Sequence, residues 1–319
     1  MSLPRYACVT AIALLAVVSV PMLGDPHHPV DAYPDTVGNS DAAPYVTRYA
    51  ANRAELARLS RAGGPRAALY ARWVAQRRQV LAFDPRGDGR IVEVLGDLAH
   101  ADRVVVYVPG NAKRLDNFDA GTVARPRTAP DPVARALRAG ARSPARTAVI
   151  AWLGYDAPEN IDVVAARSVR AAAGARSLTR LLRVLPAGAR VSLVCHSYGT
   201  VVCGRVASDR RVANVVALAS PGMDIRSAHA VRAMVWAGRA SDDLIRLTPH
   251  VRVAGLGHGP DPMSPSFGAF HVDTSGAHGH EDYFTAGGRS LRRITAITTG
   301  GGATPKTSPG RARSGTHAS

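Results

Sequence analysis

Five short, almost wholly apolar runs set apart by longer polar or Ala-rich stretches constrain this chain more than any other feature. They are residues 104–108 (VVVYV), 148–153 (AVIAWL), 191–195 (VSLVC), 215–219 (VVALA) and 233–236 (AMVW). Each has the length of a strand, and the absence of polar alternation means that both faces are covered. Helical stretches between them, notably 161–184, then predict an α/β fold: a mostly parallel central sheet with helices on both faces. Ahead of these runs, QVLAF and RIVEVLG flank the turn DPRGDG and predict two strands joined tightly. Still earlier, residues 45–60 and 65–78 place Leu56 with Leu59 and Leu69 with Trp73 at helical spacing around Gly63 and Gly64. A small helical segment, 45–78, is therefore expected to pack on a body spanning 79–298.

Composition narrows the class. The 319 residues are 46% hydrophobic and 20% charged, which suits one large domain or two smaller ones and excludes a wholly disordered chain. Three cysteines exclude a disulfide framework and a Cys-rich zinc module. The net charge of +16 comes from 40 basic residues, of which only Lys113 and Lys306 are lysines. The arginines are scattered, with no basic helix, zinc finger or aromatic RNA-binding pattern, so no nucleic-acid partner is expected. The charge does suit weak attraction to acidic lipids or polymers at a membrane or cell envelope.

The ends differ from the body. Residues 1–24, with Arg5 before the apolar run 11–18, read as a signal peptide or N-terminal anchor, so an extracytoplasmic body is expected. Cys8 precedes the apolar run and does not suit a lipoprotein. Residues 25–44, rich in Pro, Asp and His, read as a linker, and 299–319 as a disordered tail.

The chemistry centres on one segment. Strand 191–195 runs directly into His196-Ser197-Tyr198-Gly199-Thr200 and then into the apolar 201–204, a strand, sharp turn and helix with a serine at the apex. That is the context of a nucleophile elbow, which needs small residues two before and two after the serine. Gly199 meets the second need; Cys195 stands where glycine is usual, and its small side chain is expected to be tolerated. Such a serine requires a histidine base oriented by a carboxylate, following in the order acid, then His. Asp243 in the loop after 233–236 is preferred as the acid, with Asp242 and then Asp224 as alternatives. His280 is preferred over His278 as the base, because it adjoins the last helix. Gly110 lets the chain turn close to a substrate after strand 104–108, so the oxyanion hole is expected to combine the Tyr198 amide with that of Asn111 or Ala112.

Four ordered blocks then carry a resemblance: VPGNAKRLDNF (108–118), AWLGYDAP (151–158), CHSYGT (195–200) and GHEDYF (279–284). Over residues 80–298 the chain resembles the actinobacterial α/β-hydrolases catalogued as a domain of unknown function, whose elbow usually reads GHSYG. The resemblance implies the α/β-hydrolase fold, a triad of Ser197, Asp243 and His280, and a site lined or braced by Asp116, Asn117, Phe118, Trp152 and Tyr155. It implies hydrolysis without naming a substrate.

Competing readings are ordinary ones. Ser197 could cap a helix, Asp243 could hold a loop amide, and His278 with His280, Asp273 and Asp282 could face a cation, though no second His or Cys cluster supports a metal. Cys195 and Cys203 are expected to remain buried free thiols with diverging side chains. The GxGxG at 255–259 is followed by Pro260, Pro262 and Pro265 and reads as a mobile loop over the site. The chain is therefore expected to be an exported serine hydrolase acting on a small-molecule carboxylic ester without a cofactor. A catalytically silent envelope scaffold and an acyltransferase using the same triad are the alternatives.

Overall fold

The computed structural model describes residues 44–119, 126–160 and 163–300. The expected leader, most of the linker and nearly all of the tail lie outside them. Helices α1 (Tyr45–Ala62) and α2 (Ala67–Ala75) form the expected hairpin, turning at Gly63 and Gly64, both with positive φ. Strands β1 (Gln79–Asp84) and β2 (Arg90–Leu95) pair antiparallel across the DPRGDG turn.

The remaining strands are β3 (Arg103–Val108), β4 (Thr147–Leu153), β5 (Arg190–His196), β6 (Val212–Leu218), β7 (Met234–Gly238) and the two-residue β8 (Phe270–His271). The sheet order is β1-β2-β4-β3-β5-β6-β7-β8, antiparallel only where β2 meets β1 and β4. This mostly parallel order fits the α/β-hydrolase fold that the resemblance implies. Helices α3 (Pro130–Ala139), α4 (Val169–Val184), α5 (Gly199–Val206) and α6 (Arg289–Thr298) complete it.

Strand side chains alternate between two cores. Val104, Val106 and Val108 of β3 join Val191, Leu193 and Cys195 of β5 under α4 and α5. Val105 and Tyr107 join Val194 of β5, Val216 of β6, Trp73 of α2, Val133 of α3 and Ile294 of α6 on the opposite face.

That alternation corrects the expectation for the cysteines, which form a disulfide with their Cα atoms 6.6 Å apart. Cys195 faces the α5 side, and α5 leaves the elbow to run back over the same face, bringing its second turn above the strand end. Both residues are fully buried in one core cluster. Replacing the pair by alanine is expected to lower stability by roughly 2–3 kcal/mol, from the loop entropy restored to the unfolded chain. The melting temperature of the double variant should fall by roughly 4–12 °C. Alkylation of the denatured, unreduced protein should leave Cys195 and Cys203 unmodified, and their quantitative labelling would refute the bond.

Candidate active site

Parallel register brings the functional loops to one edge. Val108 of β3 lies beside Cys195 of β5, His196 beside Leu218 of β6, and Leu218 beside Gly238 of β7. The chain beyond each of these ends therefore converges above the carboxyl edge of the sheet, as in other doubly wound folds.

Ser197 sits at the apex with φ +53°, a left-handed conformation held by its amide donating to the Leu218 carbonyl at 2.9 Å. The turn is possible because Gly199 lacks a side chain: a Cβ there would lie 2.5 Å from the Val108 carbonyl oxygen. Gly110 matters equally, since a Cβ on it would lie 2.7 Å from that of Ser197.

The three preferred side chains are brought together. Ser197 Oγ lies 2.9 Å from His280 Nε2, and His280 Nδ1 lies 3.0 and 3.1 Å from the two Asp243 oxygens. Asp243 is fully buried, while the His280 side chain keeps 24% of its surface open. Burial pushes the Asp243 carboxyl up, but hydrogen bonds from His280, the Ile245 amide and Tyr283 outweigh it and hold the carboxyl below its ordinary value. The group therefore stays ionised at neutral pH and favours a protonated Nδ1, which leaves Nε2 as the acceptor facing the hydroxyl.

The backbone amides expected to serve as oxyanion donors are narrowed to one pair. The Ala112 amide already donates to the Pro158 carbonyl at 2.8 Å, which removes it as a candidate. The amides of Asn111 and Tyr198 have no acceptor among the described residues. They flank Ser197 from two separate crossover loops.

The other sequence candidates are placed outside this line of contacts. Asp242 accepts the Gly279 amide at 2.8 Å and lies 3.4 Å from the exposed His278, so both rejected partners hold the His280 loop. Asp224 is drawn into a separate cluster with Arg205, Arg252 and His258. The GxGxG segment is bonded down, with Gly257 donating to Ala166 and the Gly259 amide to Val251.

Of the five residues expected to line or brace the site, three pack or pair away from it and two brace it. Asp116 forms a two-pronged pair with Arg66 of the turn before α2, and Phe118 packs edge-on to Trp73. Trp152 is wholly buried, stacked on Tyr155, which in turn stacks on Tyr198. Tyr155 donates to the Pro109 carbonyl and Asn117 to the Ala112 carbonyl, so these two brace the loop carrying Asn111.

Two contributors escaped the sequence reading although both lie inside quoted motifs. Tyr283 accepts the Ala240 amide and donates to Asp243, clamping the acid. His196, one position from Ser197 and on the opposite face from Cys195, meets the His280 carbonyl at 2.7 Å. A carbonyl only accepts, so Nε2 carries the proton. Strand parity was the signal that could have found it.

Burial, followed by the neighbouring His280, pulls the His196 pKa down to about 3. Below the unfolded value of about 6.5 the unfolded chain takes up a proton that the folded chain refuses, so stability falls with falling pH until about 3. Relative to His196→Gln, the wild type should therefore lose about 2 kcal/mol between pH 6.5 and 5, measured by denaturant titration. Parallel pH curves for the two proteins would contradict a neutral, buried His196.

Comparison with known proteins follows the same outline. The family model described as Alpha/beta hydrolase matches residues 84–253. An uncharacterized protein of Mycobacterium tuberculosis is 29% identical over 268 residues, which cover 70% of this chain and 39% of the relative. One from Mycobacterium bovis is 34% identical over 198 residues, covering 59% of this chain and 68% of the relative. The chain thus spans only about 39% of the length of the first curated relatives it matches. Among solved structures, a lidless α/β serine hydrolase from Xanthomonas campestris is similar with a TM-score of 0.39 and 15% identity, over 69% of this chain and 91% of that one. A serine hydrolase homologue from Coxiella burnetii has a TM-score of 0.36 and 15% identity, over 66% and 91%.

Proposed function

The chain belongs to the alpha/beta hydrolase family, and from that premise we propose that it is an exported serine hydrolase cleaving a carboxylic ester through an acyl-enzyme. The observation that carries this reading is the continuous contact from Ser197 Oγ through His280 to buried Asp243.

The chemistry follows from that order. His280 Nε2 takes the Ser197 proton as Oγ attacks the ester carbonyl, and Asp243 stabilises the imidazolium without itself accepting the proton. The negative oxygen of the tetrahedral intermediate is received by the Tyr198 and Asn111 amides, each donor of this kind contributing about 3 kcal/mol to the transition state. Collapse expels the alcohol, which leaves with the proton from His280. Water, deprotonated by the same nitrogen, then releases the acid and restores Ser197. Every step is supplied by the chain's own groups and water.

Export is supported by the apolar run near the N-terminus and by the Cys195–Cys203 bond, since disulfides persist in oxidising compartments.

The test is labelling by a fluorophosphonate probe, together with p-nitrophenyl esters of graded acyl length. Labelling in the wild type and none in Ser197→Ala is the expected result. Absence of both labelling and turnover in folded wild type would favour the silent scaffold instead. Product analysis with and without acceptor alcohols separates hydrolysis from acyl transfer.

A further inference from the structure

Large apolar side chains that remain exposed are few, and their distribution is uneven. Seven occur among the described residues, and four of them, Leu244, Leu247, Val251 and Val253, fall within ten consecutive positions. Those ten positions, LIRLTPHVRV, begin directly after Asp243 and contain two arginines and no acid. Scattered exposed leucines need no explanation, but a cluster of them beside a reactive centre does.

Local geometry turns the cluster outward. Residues Leu244–Leu247 form a single 3₁₀ turn capped by Asp243, which accepts the Ile245 amide at 2.9 Å. Three residues per turn eclipse positions 244 and 247, so the two leucines share one side, 71% and 69% exposed. Ile245 between them packs against the core. Further on, Val251 and Val253 are 55% and 60% exposed, while Arg252 turns to Asp224 at 3.1 Å. Arg246 lies exposed between the leucines, and the whole chain carries +16.

We propose that segment 244–253 seats the protein on an anionic lipid surface, presenting Ser197 to esters held in that surface. Apolar side chains entering the headgroup boundary together with cationic attraction are the two contributions that interfacial binding sums. The segment and the nucleophile share the carboxyl edge of the sheet, so seating one side brings the other to the same interface. The substrate class inferred is therefore a lipid-borne ester, which deepens the hydrolase reading and rests on it.

The experiment measures co-sedimentation of Ser197→Ala protein with vesicles of phosphatidylglycerol and phosphatidylcholine, or of phosphatidylcholine alone. Binding to the anionic vesicles, weakened at least 10-fold by Leu247→Ser, Val251→Ser and Val253→Ser combined, is expected. In the Ser197 background, that triple variant should keep its rate on soluble p-nitrophenyl acetate and lose it on ester dispersed in anionic vesicles. Unchanged vesicle binding by the triple variant, or none by the parent, overturns the proposal. So does a micromolar dimer that the triple variant abolishes, because a second copy would then cover the patch. Vesicle binding without any esterase rate would instead refute the hydrolase reading and leave the surface assignment standing.

Discussion

Alanine at position 197 is expected to cut ester turnover by about 10⁴-fold or more, alanine at 280 by a similar factor, and the double variant to be no slower than either single one. The reason lies in the single hydrogen-bonded series from Ser197 Oγ to His280 and on to Asp243. Removing the hydroxyl leaves the base with nothing to deprotonate, and removing the base leaves the hydroxyl un-ionised, so the second loss takes away nothing that remains. Residual rate would come from the Tyr198 and Asn111 amides, which neither substitution touches. Independent, multiplicative losses in kcat/KM would mean that the two side chains serve different steps, and the proposed mechanism would fail.

The largest stability change is expected at Arg78. Its guanidinium, 4% exposed, lies 2.9 Å from Glu93 and from Asp119 and 3.5 Å from Asp131, and it stacks 5.5 Å over Trp73. Trp73 Nε1 donates to the same Asp119. One buried cation thereby joins the N-terminal hairpin, the sheet and the start of α3. Arg78→Met would leave three carboxylates facing one another, with the half-exposed Arg72 and Arg135 the remaining cations paired with them among the described residues. Breaking a buried pair from one side costs about 3–5 kcal/mol, because the remaining charge is uncompensated.

The pH dependence has a definite sign. Burial, then the neighbouring acids, already push the Glu93 carboxyl up to about 7 even with Arg78 in place. A raised folded value favours the protonated form, so its contribution is full at low pH and is lost as pH rises through about 7. The Arg78→Met deficit should therefore be larger at pH 8 than at pH 5, as denaturant titrations at the two values would measure. A deficit below 1 kcal/mol, or one independent of pH, would contradict a buried carboxylate cluster held by this arginine.

Much of the architecture was readable because it depends on local pattern. Runs such as VVVYV and AVIAWL have the length of strands and no polar alternation, which suits strands covered on both faces, and the order of Ser197, Asp243 and His280 follows strand succession. Features that depend on where a segment returns in space were not. The Cys195–Cys203 bond needs α5 to fold back over its own strand, and spacing alone suggested divergence. Ala112 looked as suitable a donor as Asn111 until Pro158, 46 positions later, took its amide. Asp116 and Phe118 lie in a motif beside the site, yet Arg66 and Trp73 of the N-terminal helical region claim them. The two-residue β8 was also beyond sequence reading, since its pairing with β7 involves only two residue pairs.

The backbone at Ser197 carries a final consequence. A β-carbon at φ +53° is sterically penalised, and only glycine occupies that region freely. Selection for durability and selection for reactivity thus pull in opposite directions at this position. A glycine there would relax the chain and remove the hydroxyl on which the proposed chemistry rests, so the fold carries a permanent thermal handicap at the residue that chemistry can least exchange.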